Sequence, residues 1–196
     1  MSYNKGEDEI LIKSFLSGDR KSFDAIINKY KNLVFNISIK MLGNYEEALD
    51  ISQDIFIKLY GSLKNFKFES QFSTYLYRIT MNFCKNRLIS LHRRRKKETF
   101  SLDDSIAAES GGIKREVKSN RPNPRQILDE KEYKNVILQA VNTLKTEYKQ
   151  IIVLKDIEGL KYEEISDVLN IDLGTVRSRL HRARCSLRIK LEGISL

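Results

Sequence analysis

Three constellations of side chains in this 196-residue chain could do chemistry, and in each it is non-covalent recognition of charge or of bases. The first lies near the C-terminus. Val176, Leu180, Ala183 and Leu187 repeat at helical spacing, which puts Arg177, Ser178, Arg179, His181, Arg182, Arg184 and Arg188 on the outer face of one helix. No acid occurs between Asp172 and Glu192. Such a face suits phosphates, with base edges in reach of its first turns. The second set, Thr74, Arg78, Asn82 and Lys85, shares a helix face flanked by Tyr75 and Tyr77. Aromatic rings beside amide and cationic groups fit single-stranded DNA, whose bases stack or flip out. The third is a row of acids four apart, Glu46, Asp50 and Asp54. In a chain of net charge +9 it is either a solvated face or a docking surface for a partner's helix.

Helices must hold all three faces. Ile165, Val168 and Leu169 form one apolar stripe, and Asn170-Ile171-Asp172 separates it from the basic helix. Asn170 tolerates the left-handed backbone that ends a helix, and Asp172 suits an N-cap. Lys161 to Arg188 therefore reads as a helix-turn-helix, although a solvated basic helix on a bundle gives the same pattern. Helices over Ile127–Val141 and Glu147–Glu158, the latter ended by Gly159, complete a four-helix unit.

Earlier in the chain, Ile10 to Leu42 is helical with a break at Gly18-Asp19. Phe23, Ile26, Ile27, Tyr30, Val34, Ile37 and Met41 form its buried stripe, and Gly43-Asn44 closes it. A helix over Tyr45–Tyr60 buries Ala48, Ile51, Ile55 and Leu59. Leu63 to Gln71 reads as a loop, followed by a helix from Phe72 to about Leu91 with Phe72, Leu76, Ile79 and Phe83 inward. The basic run His92–Lys97 comes next, either a solubilising tail or a contact to duplex phosphates. Glu98 to Arg125 carries Gly111, Gly112, Pro122 and Pro124 and reads as a linker. The expected fold is all-α: two small helical domains, 1–97 and 126–196, joined by a flexible linker, 98–125.

Composition narrows the function. A chain with 41% hydrophobic and 31% charged residues is globular and soluble in character, and pI 9.4 favours an acidic partner, nucleic acid before membrane. No apolar run reaches the roughly 20 residues that span a bilayer, and the polar N-terminus does not resemble a secretory signal, so a cytoplasmic location is expected. Cys84 and Cys185 are expected as free thiols. His181 shares a helix face with Cys185, and His92 follows Cys84, but the two pairs fall in different expected domains, the Cys84–His92 spacing fits no common zinc pattern, and no metal or cofactor is expected. With no phosphate loop and no nucleophile–base set, the chain does not read as an enzyme.

Several segments resemble one family. Tyr162–Arg184, and within it Gly174-Thr175-Val176-Arg177-Ser178-Arg179-Leu180, is similar to the C-terminal DNA-binding region of bacterial sigma factors of the extracytoplasmic-function (ECF) group. Asn170 stands where the family usually has Gly, and Asp172 where it often has Pro. Asp50-Ile51-Ser52-Gln53-Asp54-Ile55-Phe56 resembles the family segment that binds the polymerase clamp helices. The resemblance implies Asp50, Gln53, Asp54 and Phe56 as polymerase-binding positions. Phe72–Asn82 resembles the segment that opens and reads the minus-ten element, with Tyr75 in place of the usual Trp and Asn86 where many members have Asp. It implies Asn65, Phe66, Phe68, Ser70, Tyr75, Arg78, Asn82 and Lys85 as minus-ten contacts, the loop Asn65–Ser70 helping to hold a flipped base. Thr175, Arg177, Ser178, Arg179, His181 and Arg182 are the implied minus-thirty-five contacts.

The function expected from this resemblance is promoter-specific transcription initiation. Its partners would be core RNA polymerase, promoter DNA and an anti-sigma factor. Two rivals follow from the residues alone. A stand-alone helix-turn-helix regulator leaves the acidic row and the aromatic–amide helix without a task, and a helical interaction adaptor predicts no DNA recognition.

Overall fold

The computed structural model describes residues 5–101 and 136–193, and these residues contain helices and turns but no strand. The first bundle begins with α1 (Lys5–Leu16) and α2 (Arg20–Leu42), and Asp19 caps α2 by accepting the Lys21 N–H at 3.0 Å. Asp8 of α1 is buried, and it accepts hydrogen bonds from Lys29 Nζ at 2.7 Å and the Tyr30 hydroxyl at 2.6 Å. A buried carboxylate needs such partners, so this triad fixes α1 against α2. Gly43 ends α2 with φ 72°, the left-handed conformation that glycine adopts without steric cost.

Asn44 then caps α3 (Tyr45–Ser62), its side chain accepting the Glu47 N–H at 3.0 Å. Ile26, Tyr30, Ile37, Met41, Ala48, Ile55 and Leu59 are closed from solvent and form the shared core. A 3-10 turn, Leu63–Asn65, follows where a loop is expected, because Leu63 is drawn wholly into that core.

The helix α4 runs from Phe72 to Ser101, ten residues beyond its expected end, and takes in the first four residues of the expected linker. Arg, Lys and Glu are good helix formers, and no Gly or Pro interrupts them before Gly111. The rest of the expected linker, 102–125, lies outside the described residues, as do Ile127 and Leu128. The buried side of α4 also differs from the expected stripe. Ser73, Leu76, Tyr77, Thr80, Met81 and Cys84 are buried with Phe72, whereas Ile79 and Phe83 are only half-buried. Two sets of neighbours explain the broad buried face: α2 and α3 cover one row, and the second bundle covers the next.

That second bundle comprises α5 (residues 136–142), α6 (Thr146–Ile152) with a wide π turn over Val153–Ile157, α7 (Tyr162–Leu169) and α8 (Leu173–Glu192). Ile151, Ile152, Val153, Leu154, Ile165, Val168, Val176, Leu180 and Ala183 make its core. Its first helix, expected over Ile127–Val141, is described from residue 136 onward, and there Val136 and Ile137 are half-buried while Ala140 and Val141 are buried. Gly159 turns the chain with φ 75°.

Candidate nucleic-acid interface

The helix-turn-helix forms from local rules. Asn170 has φ 52° and ψ 55°, and its N–H returns to the Ser166 carbonyl to close α7. Asp172 accepts the Thr175 N–H at 2.8 Å and the Thr175 hydroxyl at 2.6 Å. These bonds, the hydroxyl's first, lower the Asp172 pKa, so the cap is fully made at neutral pH and weakens as acid protonates it. Asp172→Ala is expected to lower the melting midpoint by roughly 5 °C, read by circular dichroism, with Asp172→Asn retaining most of it.

On α8 the expected duplex contacts divide. Arg177, Ser178, His181 and Arg182 are exposed together on one face, with Arg179 half-buried at its edge. Thr175 is committed to the cap, and Ser178 donates to the Thr175 carbonyl at 3.2 Å. Arg184 is held by Asp156 of the π turn, its Nε 3.2 Å from the carboxylate, so it braces the bundle. His181 Nε2 lies 3.7 Å from Cys185 Sγ. Among the described residues no group of three or more metal-ligating side chains comes together.

The expected strand-reading face lies along α4. Arg78, Asn82 and Lys85 are exposed on successive turns, and Thr74 and Tyr75 are half-buried. The Arg78 guanidinium sits 5.6 Å from the centre of the Tyr75 ring, and the Tyr75 hydroxyl donates to Ser62 Oγ at 3.2 Å. The ring is thus held in one orientation by a cation above and a hydrogen bond at its tip.

In the loop before α4, Asn65 is exposed and Ser70 half-buried. Phe66 is only 9% exposed and packs against Phe68, Phe72 and Tyr75, so it supports the surface and offers none of its own. Phe68 has φ 58°, a conformation that a bulky side chain enters only under constraint, and such constrained residues cluster at binding sites. Sequence pattern carries no signal for this.

The acidic row lies on α3. Asp50, Gln53 and Asp54 are exposed, and Phe56 is half-buried. Arg87 of α4 pairs with Glu47, and that bond, with the nearby Asp50 and Asp54 charges, favours the guanidinium's charged form. The row is therefore partly neutralised from beside and is not simply solvated. Beside it runs a groove of about 310 Å³ lined by Ile27, Phe35, Tyr45, Leu49, Gln53 and Phe56 among others. Tyr45 is 54% and Leu49 43% exposed. Neither was expected in this site; their spacing of four ahead of Gln53 is the signal that could have found them.

A basic reading helix, an aromatic–amide helix and an acid-edged apolar groove on an all-α frame define a DNA-binding protein with a protein partner. The Sigma-70 region 2 family matches residues 26–98, and the Sigma-70 region 4 family matches residues 134–187. The chain is 35% identical over 184 residues to the ECF RNA polymerase sigma factor SigW of Bacillus subtilis, covering 93% of this chain and 96% of that protein. It is 30% identical over 185 residues to the ECF RNA polymerase sigma-E factor of Escherichia coli, 94% of each chain. The fold is similar to that of the sigma factor RpoE in its complex with the anti-sigma factor NepR from Bartonella quintana, at TM-score 0.62 and 22% identity, covering 89% of this chain and 99% of that one. The chain belongs to the ECF group of RNA polymerase sigma factors, and its function is promoter-specific transcription initiation.

Proposed function

We propose that the first bundle, residues 1–97, grips core polymerase and opens the minus-ten element, while the second, 126–196, holds the minus-thirty-five element. The observation that carries this reading is the separation of faces. The α3 groove and acidic row, the α4 row and the α8 row are distinct surfaces, each matched to a different partner by charge and shape. Polymerase would meet Asp50, Gln53, Asp54 and Phe56, with Tyr45 and Leu49 as the apolar part of the patch. Unpaired bases would meet Tyr75, Arg78 and Asn82, backed by Asn65, Phe68, Ser70 and Lys85. Duplex would meet Arg177, Ser178, His181 and Arg182, with Arg179 at the edge.

No step in this mechanism is covalent. Binding energy at α4 offsets the few kcal/mol per step that unstacking costs, and the second DNA contact gains from being tethered to the first. A protein that works beside polymerase is proposed to act in the cytoplasm; no helix among the described residues is long and apolar enough to cross a membrane. An anti-sigma protein is a proposed partner, by analogy with the NepR complex of the similar fold.

Transcription of a genomic fragment library by purified core polymerase, with and without this protein, tests the reading. New start sites sharing two spaced motifs are the expected result. Tight, specific duplex binding without any polymerase binding would instead favour the stand-alone regulator.

A further inference from the structure

Tyr75 is held from outside its own helix. Its hydroxyl reaches Ser62 Oγ, 3.2 Å away, at the last residue of α3. Ser62 Oγ in turn donates to the Leu59 carbonyl at 3.3 Å, one turn back in α3. A carbonyl can only accept, so the serine commits its proton there and turns a lone pair toward Tyr75. The direction of the chain is thereby fixed: Tyr75 donates, Ser62 accepts and passes on, and Leu59 receives. Leu59 is closed from solvent, and its carbonyl also takes the Leu63 N–H, so the chain ends on a group that cannot swing.

The faces of the ring are restrained too. Phe66 lies with its centroid 5.0 Å away and its plane tilted by 40°, and Phe72 at 6.4 Å and 39°. Both are buried and cannot retreat. On α4 itself the Arg78 guanidinium is 5.6 Å from the ring centre. Packing therefore sets the plane of the half-buried Tyr75 ring, and the hydroxyl bond sets its tip. An unpaired base meets a ring already oriented, and the entropy of ordering it is not lost again at capture. Tyr75 stands where a Trp is usual, so less stacking area is available, and orientation counts for more.

We propose that Ser62 is a positioning residue for strand opening, holding Tyr75 by its hydroxyl in the orientation that captures an unpaired base of the minus-ten element. Because Ser62 ends α3, the ring is kept in register with the face assigned to polymerase. Phe56 and Asp50 lie about 9 and 18 Å back along the same helix. The inference rests on the assignment of α4 to unpaired bases.

The test uses holoenzyme assembled from the full chain and core polymerase, on a promoter recovered from the fragment library. The promoter is supplied as an intact duplex and as a duplex mismatched across the minus-ten element. Permanganate oxidation of unpaired thymines reads the rate of opening. Ser62→Ala and Tyr75→Phe are each expected to slow opening of the intact duplex roughly fivefold, the worth of one neutral hydrogen bond. The double variant should be no slower than either single one, because both remove the same bond. Ser62→Thr keeps the acceptor and should restore opening to within about twofold of wild type. On the mismatched template unstacking is already done, and all variants should fall within about twofold of wild type. A serine that merely supported the fold would lower core affinity, and transcription from both templates alike.

A loss of roughly 25-fold in the double variant, or wild-type opening by either single variant, would overturn the proposal. So would an equal loss on both templates, or Ser62→Thr as slow as Ser62→Ala. Tyr75→Ala separates the tether from the reading beneath it. If that variant opens the duplex as wild type does, the assignment of α4 falls and the inference with it. If it is slow while Ser62→Ala is not, the assignment stands and the tether alone falls.

Discussion

Replacing Gln53 and Asp54 together by alanine is expected to weaken binding to core polymerase by roughly 100-fold, measured by fluorescence anisotropy, with the melting curve of the free chain unchanged. Roughly 1.4 kcal/mol from each residue gives that factor, an ordinary value for polar residues at the edge of an aromatic anchor patch. Both side chains are exposed on α3, so no core packing is lost with them. Gln53 lines the groove beside Phe56, Tyr45 and Leu49, where removal of its amide leaves a partner's polar group facing apolar surface. Asp54 lies near Arg87, whose pairing with Glu47 survives the change. Affinity within threefold of wild type would remove α3 from the polymerase contact.

The second large effect concerns Lys149, a cation buried where α6 meets α4. Burial lowers its pKa to about 8, and the neighbouring Cys84 only partly opposes this. Burial likewise pushes the Cys84 thiol up to about 11. Below pH 8 the folded chain holds a charged lysine in a poor environment, at a cost of about 3 kcal/mol from the size of the shift. As pH rises from 8 to 10.5 the folded protein loses that proton before the unfolded chain does, and stability climbs. From pH 9 the unfolded chain ionises Cys84 while the folded one does not, and this pulls stability down.

The gain should therefore be seen between pH 8 and 9, at about 1.4 kcal/mol, and be nearly cancelled from there to 10.5. Lys149→Met should be about 3 kcal/mol more stable than wild type at pH 7 in urea unfolding, and should lose the rise between pH 8 and 9. A variant no more stable at pH 7, with the rise intact, would mean that Lys149 is solvated in the free protein.

What sequence made legible was what neighbouring residues decide among themselves. Asn170 and Asp172 form the helix-turn-helix corner with the backbone angles and capping bonds their side chains favour, and Gly43 and Gly159 end their segments in the left-handed region. The stripes of α2 and α3 bury the residues whose spacing marked them, except Ile27, which is half-buried at the groove. Features made by distant parts of the chain were not legible. Tyr77 was expected as a surface aromatic flanking the reading row, yet it is 8% exposed because the second bundle covers it. Lys149 and Gln150 carry polar side chains into the same junction, against every composition rule for buried positions. Phe66 and the left-handed Phe68 depend on how a loop folds onto α1 and α4, which periodicity does not encode.

The length of α4 converts residue numbers into a ruler. Its 30 residues make a rod of about 45 Å at ~1.5 Å per residue, anchored in the core at Phe72 and continuous to Ser101. Arg78 and the exposed Arg93 are thereby held about 22 Å apart along the axis and about 60° apart around it, an axial interval of between six and seven base-pair steps of duplex at ~3.4 Å each. A jointed tail could adjust that interval to any DNA, whereas a helix fixes it. One residue inserted between them would move the far cation by about 1.5 Å and swing it by about 100° around the axis. The stretch expected either as a solubilising tail or as a contact to duplex phosphates is, in this chain, the rigid continuation of α4.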